Sequence, residues 1–204
     1  MKIICIGMNY SAHCAELENT LPTEPVFFMK PETALLRNNE PFYIPDFSTD
    51  LHYECELVVR INKMAKAVEE QFASRYYDEI GLGIDFTARD LQRICRAKGL
   101  PWEMAKSFDN SAAIAPSFIN KNNLPQIQDL HFELTLNGEV KQKGFTGDMI
   151  FSVERIISYI SNFVTLKVGD LIFTGTPLGV GAVKIGDKLR ATLEGEEMLN
   201  FEIK

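Results

Sequence analysis

The strongest constraint on the fold is a β-hairpin signal in which HFELTL is followed by Asn137-Gly138 and then by EVKQKG. An Asn-Gly pair suits the positive φ angles of a type I′ turn, which joins two adjacent antiparallel strands. Short segments rich in β-branched residues predict further strands over residues 1–6, 51–62, 80–86, 170–174, 187–193 and 198–203. A chain with this many short strands is expected to build its core around sheets.

Helical segments are fewer. Four are predicted, over residues 11–18, 67–79, 87–98 and 151–163, and five prolines punctuate the loop-rich residues 19–50. Because strands and helices do not alternate regularly, the pattern argues against a doubly wound parallel sheet. At 204 residues, the chain is expected to form one β-rich α+β domain over residues 1–204.

The net charge limits the classes of partner that the chain can bind, and the cysteine content indicates the cellular compartment. The 21 basic and 28 acidic residues give a net charge of −7, which disfavours binding to nucleic acid or to an anionic membrane surface. No apolar run reaches the roughly 18 residues of a membrane span, and the N-terminus lacks the pattern of a signal peptide. The four cysteines are scattered and are expected to be buried, reduced thiols: Cys5, Cys14, Cys55 and Cys95. These features together predict a cytoplasmic globular protein.

Two acidic residues stand in the strand-like segment HYECELVV, residues 52–59. Side chains two apart on a strand share a face, so Glu54 and Glu56 project together. A solvated strand face is the simpler explanation for this pair alone. Asp85, a third acid within the apolar segment Gly-Ile-Asp-Phe, instead favours a cation site. Three carboxylates without clustered His or Cys suit Mg²⁺, Mn²⁺ or Ca²⁺ rather than zinc.

A second pair, His13 and Glu16, is spaced i, i+3 and would share one face of a short helix. A carboxylate beside an imidazole orients the ring and raises its basicity, as in a general-base pair. The alternative is a surface pair that contributes about a few tenths of a kcal/mol. His52 and His131 have no such partner and are interpreted as structural.

Two glycine-rich stretches, residues 81–83 and 174–181, lack the Gly-Lys-Ser/Thr and GxGxxG patterns of phosphate-binding loops. In the second stretch, the hydroxyls of Thr174 and Thr176 and the backbone N–H groups are suited to hold a small carboxylate. A plain turn explains the glycines equally well.

Eight sequence blocks, in this order, resemble the fumarylacetoacetate hydrolase (FAH) superfamily: GMNYxxHxxE (7–16), FMKP (28–31), HYECEL (52–57), DFTARDLQ (85–92), AKSFD (105–109), NGE (137–139), DMIF (148–151) and TGTPxGVG (174–181). The resemblance covers essentially the whole chain. The run over residues 99–108 is most similar to the short acylpyruvase and oxaloacetate decarboxylase branch.

This resemblance implies an FAH-type mixed β-roll with short peripheral helices, usually a homodimer. It also implies one divalent cation per subunit, Mg²⁺ or Mn²⁺, with Ca²⁺ a further occupant in crystals. The residues it assigns to the site are the metal ligands Glu54, Glu56 and Asp85, the catalytic residues His13, Glu16 and Lys106, and the substrate-binding residues Lys30, Arg89, Gln92 and Thr176.

The implied activity is hydrolysis of a C–C bond in acylpyruvate-type 2,4-dioxo acids through a metal-held enolate, with decarboxylation of oxaloacetate at the same site. The alternatives are isomerisation of 2-hydroxyhepta-2,4-diene-1,7-dioate in aromatic-acid catabolism, or a non-catalytic protein that binds small acids. One departure stands out, since Met8 replaces an arginine that many relatives carry. If that arginine contacts the distal charge of a substrate, this chain is expected to prefer less charged tails.

Overall fold

The computed structural model describes residues 1–16 and 20–204. Its helices are α1 (Ser11–Glu16), α2 (Glu70–Ala73), α3 (Arg89–Lys98), α4 (Glu103–Lys106) and α5 (Val153–Phe163). Its strands are β1 (Ile3–Gly7), β2 (Val26–Lys30), β3 (Leu35–Leu36), β4 (Leu51–Tyr53), β5 (Cys55–Ile61), β6 (Tyr77–Asp85), β7 (Thr87–Ala88), β8 (Ala112–Ile114), β9 (Ile119–Asn120), β10 (His131–Leu136), β11 (Glu139–Phe145), β12 (Leu171–Phe173), β13 (Gly181–Ala182), β14 (Lys188–Leu193) and β15 (Glu196–Glu202).

Three sheets organise these strands. The largest is mixed, in the order β2-β1-β12-β5-β6-β8-β3, with β9 beside β6. Among its described strands, β1 pairs with β12 and β3 with β8 in parallel, and the other pairs are antiparallel. A four-stranded antiparallel sheet has the order β11-β10-β14-β15, and β13, β4 and β7 form a small third sheet. The structure thus confirms a β-rich α+β fold with short helices, and the described residues form no doubly wound parallel sheet.

The central strand β5 is buried on both faces. Leu57 and Val59 belong to the larger hydrophobic cluster, whereas Val58 points into a smaller cluster on the other face. A strand covered on both sides tends to be apolar throughout, and the middle of β5, Leu57 to Val59, has this character. Glu54, just before β5, and Glu56, within it, are both buried in the interior, where an uncompensated carboxylate is costly.

The hairpin predicted around Asn137-Gly138 is confirmed by the antiparallel pairing of β10 with β11. Asn137 has φ 54° and Gly138 has φ 85°, the positive pair that a type I′ turn requires. No helix among the described residues is both long enough and apolar enough to cross a membrane.

Two element predictions were wrong in detail. The strand predicted over residues 51–62 breaks at Glu54, because β4 pairs with the small third sheet and β5 with the main sheet. The helix predicted over residues 67–79 shrinks to the four residues of α2 and a 3-10 turn. Tyr77 already belongs to β6, where pairing with Ile61 and burial override the helical pattern.

The remaining predicted helices and strands are present, and their ends lie within two or three residues of the predicted bounds. The helix predicted over residues 11–18 is present as α1, and residues 17 and 18 of that prediction lie outside the described residues.

Candidate active site

Three carboxylates meet where the main sheet adjoins the small third sheet. Candidate ligand oxygens of Glu54, Glu56 and Asp85 all lie within 4.8 Å of one another, and all three residues are buried. Strand register explains the meeting, since Cys55 pairs with Ile84 and the Asp85 N–H donates to the Glu54 carbonyl at 2.8 Å. Asp85 therefore lies opposite Glu54, while the period of two places Glu56 on the same face. The simpler interpretation of Glu54 and Glu56 as a solvated strand face is therefore wrong, because both side chains are buried.

Buried cations surround this acidic cluster, by which we mean Glu54, Glu56 and Asp85. Lys106 Nζ, from α4, donates to Glu54 Oε2 at 2.7 Å and to Asp85 Oδ2 at 2.8 Å. Arg89, the first residue of α3, contacts the other Glu54 oxygen at 2.6 Å. These contacts hold the carboxylates in fixed orientations and offset part of the cost of burying them.

Lys30 also contacts the cluster, through an ion pair of 2.8 Å between Nζ and Asp85 Oδ1. Its N–H groups are directed elsewhere, to the carbonyls of Phe86 and Lys106 and to the carbonyl and hydroxyl of Ser111. Lys30 is absent from the described residues that line the pocket. In this structure it therefore acts on the site through Asp85, and its contact with substrate stays a prediction.

Protonation differs within the cluster. Burial alone would raise the pKa of Glu54, but the Lys106 and Arg89 charges outweigh burial and hold that pKa well below its usual range. Burial, and then the neighbouring Asp85 and Glu54, raise the pKa of Glu56. Burial would lower the pKa of Lys106, but Asp85 and Glu54 raise it to about 12, so the ammonium stays charged at neutral pH.

The donor atoms of the cluster fit a hard divalent cation. All are carboxylate oxygens, the ligands that Mg²⁺, Mn²⁺ and Ca²⁺ prefer. The buried Asp85 Oδ1 accepts no hydrogen bond from the described residues, but it forms the ion pair with Lys30 at 2.8 Å. Glu56 forms no ion pair with a described cation, although it lies beside two other acids. A cation bound at these oxygens would remove the repulsion around Glu56.

The loop after β12 holds Glu56. The Gly175 N–H donates to Glu56 Oε2 at 2.7 Å, with Gly175 at φ +100°. A Cβ at this position would lie 2.7 Å from the Asn9 Cβ, so glycine is required by both backbone conformation and space. A carboxylate is therefore held at residues 174–181, as one sequence interpretation proposed, but it belongs to the protein itself.

Thr176 in the same loop lines the pocket and is held in place by a hydrogen bond from Gln142 of β11. The Thr176 hydroxyl donates to the Cys55 carbonyl at 2.8 Å and accepts from Gln142 Nε2 at 2.9 Å. Gln142 Oε1 accepts the Cys55 N–H at 2.9 Å. Gln142 was not predicted from the sequence, although it is a polar residue two positions from the buried Gly144 on the same face of β11.

His13 and Glu16 form the expected pair on α1. His13 Nδ1 lies 2.9 Å from Glu16 Oε2, and the Gly179 N–H donates to the other Glu16 oxygen at 3.1 Å. Because an ionised carboxylate only accepts, Nδ1 carries the proton and Nε2 is left free to take one. His13 is buried and lines the same pocket as the acidic cluster. These contacts rule out an isolated surface pair.

A second residue that the sequence analysis missed, Asn9, anchors the chain just before α1. Its side-chain amide donates to the carbonyls of Phe151 and Thr174, and its oxygen accepts the Phe151 N–H at 2.8 Å. Asn9 belongs to the GMNY block, so its position in that block was the available signal.

The pocket collects eight of the ten residues proposed from the sequence. These are His13, Glu54, Glu56, Asp85, Arg89, Gln92, Lys106 and Thr176. Glu16 lies behind His13 and lines an adjoining depression. The remaining lining residues were not predicted as site residues from the sequence: Ile6, Gly7, Met8, Phe28, Arg96 and Trp102.

A buried acidic cluster beside a histidine–glutamate pair, on a curled mixed sheet, defines the class of protein. The family model described as fumarylacetoacetate (FAA) hydrolase C-terminal matches residues 2–203, and the chain belongs to this family. The FAH-type fold expected from the sequence is thereby confirmed.

Particular relatives are similar over the full chain. The mitochondrial oxaloacetate tautomerase FAHD1 of Bos taurus is 43% identical, with 100% of this chain and 91% of the relative covered. The mitochondrial oxaloacetate decarboxylase of Dictyostelium discoideum is 41% identical, over 99% of this chain and 93% of the relative. Among solved structures, fumarylpyruvate hydrolase from Pseudomonas aeruginosa, in complex with Mn²⁺ and pyruvate, superposes with a TM-score of 0.94 at 34% identity, covering 100% of this chain and 89% of that one.

Proposed function

We propose that this protein is a divalent-metal-dependent enzyme that hydrolyses a C–C bond in acylpyruvate-type 2,4-dioxo acids. The observation that carries the proposal is the shared pocket, in which the acidic cluster and His13, backed by Glu16, face the same space. Water and a 2-oxo acid bound there would have a cation site and a general base within reach of each other. A reaction that needs both is the natural use of this arrangement.

The residues that would hold the cation are Glu54, Glu56 and Asp85, and Mg²⁺ or Mn²⁺ is the proposed occupant. When bound, the cation supplies Lewis-acid stabilisation of negative charge on the 2-oxo side of the substrate. The Mn²⁺ and pyruvate in the Pseudomonas relative support both the class of cation and the class of ligand.

The chain's own residues supply the proton transfers. His13 Nε2 takes a proton from water, which attacks the C4 carbonyl carbon, while Glu16 keeps the ring oriented and stabilises its protonated form. The C3–C4 bond then breaks, C3 regains a proton, and the products are pyruvate and a carboxylic acid. Lys106 donates two of its three N–H bonds to the acidic cluster, so one remains for a substrate oxygen that gains charge.

The other polar lining residues are proposed to position the substrate. Arg89, Gln92 and Thr176 border the acidic cluster and are proposed to bind the carboxylate end of the 2-oxo acid. Lys30 is proposed to contribute through Asp85, which it contacts.

A second candidate activity, turnover of oxaloacetate, is supported by the names of the Bos taurus and Dictyostelium relatives. Tautomerisation would use His13 to move a proton between C3 and the 2-oxo oxygen. Decarboxylation would break the C3–C4 bond with loss of carbon dioxide and would need no attacking water. The same pocket can therefore serve oxaloacetate and acylpyruvates, with different demands on His13.

We also propose a cellular location and an oligomeric state for this protein. The four cysteines are all buried and free, which supports a reducing compartment such as the cytoplasm. We propose a homodimer, which a measurement of molar mass in solution would test.

Substitution of Glu16 should separate hydrolysis from decarboxylation. Glu16→Ala leaves the acidic cluster intact but removes the group that orients His13. We expect kcat/KM for acetylpyruvate to fall at least about tenfold more than kcat/KM for oxaloacetate decarboxylation, measured at saturating Mg²⁺. Because the ratio compares two substrates on one sample, partial misfolding cancels.

Glu139→Ala, at an exposed hairpin position, is the matched control and should leave the ratio unchanged. Equal losses on both substrates in Glu16→Ala would show that Glu16 positions the ligand or α1 rather than activating water through His13.

A further inference from the structure

Strand β5 loses its neighbour on one side at the point where it carries part of the acidic cluster. On that side, β12 ends at Phe173, opposite Val58. Just beyond this end, the Thr174 N–H donates to the Leu57 carbonyl at 3.0 Å. Backbone groups of a strand alternate between its two neighbours, so those of Cys55 face the same side as those of Leu57. Cys55 therefore lies beyond the reach of β12, with an N–H and a carbonyl that need other partners.

Two side chains take the place of the missing strand at Cys55. Gln142 Oε1 accepts the Cys55 N–H at 2.9 Å, and the Thr176 hydroxyl donates to the Cys55 carbonyl at 2.8 Å. Gln142 Nε2 donates to the Thr176 hydroxyl oxygen and to the Pro177 carbonyl, both at 2.9 Å. Because Gln142 is only 1% exposed, water does not compete for these hydrogen bonds. One amide group therefore joins β5 to the loop that follows β12.

The two segments that Gln142 joins both determine the geometry of the acidic cluster. Cys55 lies between Glu54 and Glu56 in the chain. The loop after β12 holds Glu56 as well, because the Gly175 N–H donates to Glu56 Oε2 at 2.7 Å. Buried carboxylates repel one another, so the protein must hold them together through contacts of this kind. A shift of either segment would change the spacing of the candidate ligand oxygens.

We propose that Gln142 is a positioning residue for the cation site, one that fixes the spacing of the carboxylates without being a ligand. Gln142 is absent from the described residues that line the pocket, so it acts through Cys55 and through the loop after β12. Groups that orient metal ligands from behind contribute strongly to metal affinity. This inference rests on the proposed function, in which the acidic cluster binds a divalent cation.

The test is the affinity of the substrate-free protein for Mn²⁺, measured by calorimetry, so that the result does not depend on turnover. Gln142→Met keeps nearly the same side-chain size but forms none of the three hydrogen bonds of the amide. We expect its Kd for Mn²⁺ to rise about tenfold or more. Gln142→Asn keeps the amide on a side chain that is one methylene shorter, and its Kd should rise by less. This second variant retains the test if Gln142→Met does not fold.

Gln128→Met is the matched control. Gln128 is a half-buried glutamine whose Nε2 donates to the Thr146 carbonyl, just after β11, at 3.3 Å, and it is absent from the described residues that line the pocket. This variant loses a hydrogen bond near the same strand, so its Tm is expected to fall, but its Kd for Mn²⁺ should stay at the wild-type value.

The outcomes separate this inference from the proposed function. A wild-type Kd in the folded Gln142 variants would overturn the positioning role and leave the cation site intact. An equal rise in Gln128→Met would show a general loss of stability and would also overturn the positioning role. Failure of the wild-type protein to bind Mn²⁺ would overturn the cation site of the proposed function, and this inference with it.

Discussion

Replacement of His13 by alanine is expected to lower kcat/KM for acetylpyruvate by about 10²–10⁴-fold, the usual cost of losing a general base. His13 is buried in the pocket, with Nδ1 held by Glu16 and Nε2 free to accept a proton. Its removal leaves an attacking water without a base at that position. Steady-state rates at saturating Mg²⁺, measured as pyruvate released, give the size of the loss.

The loss should not come from the metal site. His13 is not part of the acidic cluster, so His13→Ala should bind Mn²⁺ with an affinity close to that of the wild-type protein. His131→Ala, which removes an exposed imidazole from β10, is the matched control and should keep full activity. Unchanged hydrolysis in His13→Ala would refute the general-base role.

Removal of divalent metal is expected to have the second large effect. Treatment with EDTA should abolish turnover of acetylpyruvate and oxaloacetate, and added Mg²⁺ or Mn²⁺ should restore it. The physical reason is the oxygen-only donor set, in which Glu56 lies beside two acids and forms no ion pair with a described cation. Full activity in the metal-free protein would refute the assignment of the acidic cluster as a metal site.

Glu56→Gln tests the same site without a chelator. Glutamine keeps the size of the side chain but removes one anionic ligand, so Mn²⁺ affinity should fall on the order of tenfold or more. Glu79→Gln is the matched control because Glu79 lies on the adjacent strand β6, half exposed and paired with Arg60. Metal affinity that is equal in the two variants would show that Glu56 is not a ligand.

The sequence predicted those parts of the site whose geometry is determined by the local spacing of residues. Glu54 and Glu56 share a face because strand residues alternate, and His13 meets Glu16 because helical residues three apart are neighbours. The Asn137-Gly138 hairpin was readable for the same reason, since a turn type requires particular residues. Asp85 lies beside Glu54 because of the register between β5 and β6. In the sequence, the indication of this contact was an acidic residue within an apolar segment.

Residues whose contacts are distant in the sequence could not be predicted from the spacing of residues. Gln142 reaches Cys55 and Thr176 from the second sheet, and Asn9 ties the start of α1 to Phe151 and Thr174. The predicted helix over residues 67–79 gave way to β6 because the pairing of that strand with β5 is a tertiary effect. Such contacts depend on the assembled sheets and leave only weak traces in local sequence patterns.

The central claim, that this pocket cleaves the C–C bond of an acylpyruvate, is tested most directly by product analysis. Purified protein with Mg²⁺ is incubated in parallel with acetylpyruvate, with oxaloacetate and with a hydroxymuconate-type diene, and products are followed by NMR. The proposed mechanism predicts that acetylpyruvate yields pyruvate and acetate in equal amounts, at a rate above those of the metal-free and protein-free samples. Isomerisation of the diene, or turnover of oxaloacetate, with acetylpyruvate left intact would contradict the hydrolase assignment, and binding without turnover of any of the three would support a non-catalytic binding protein instead.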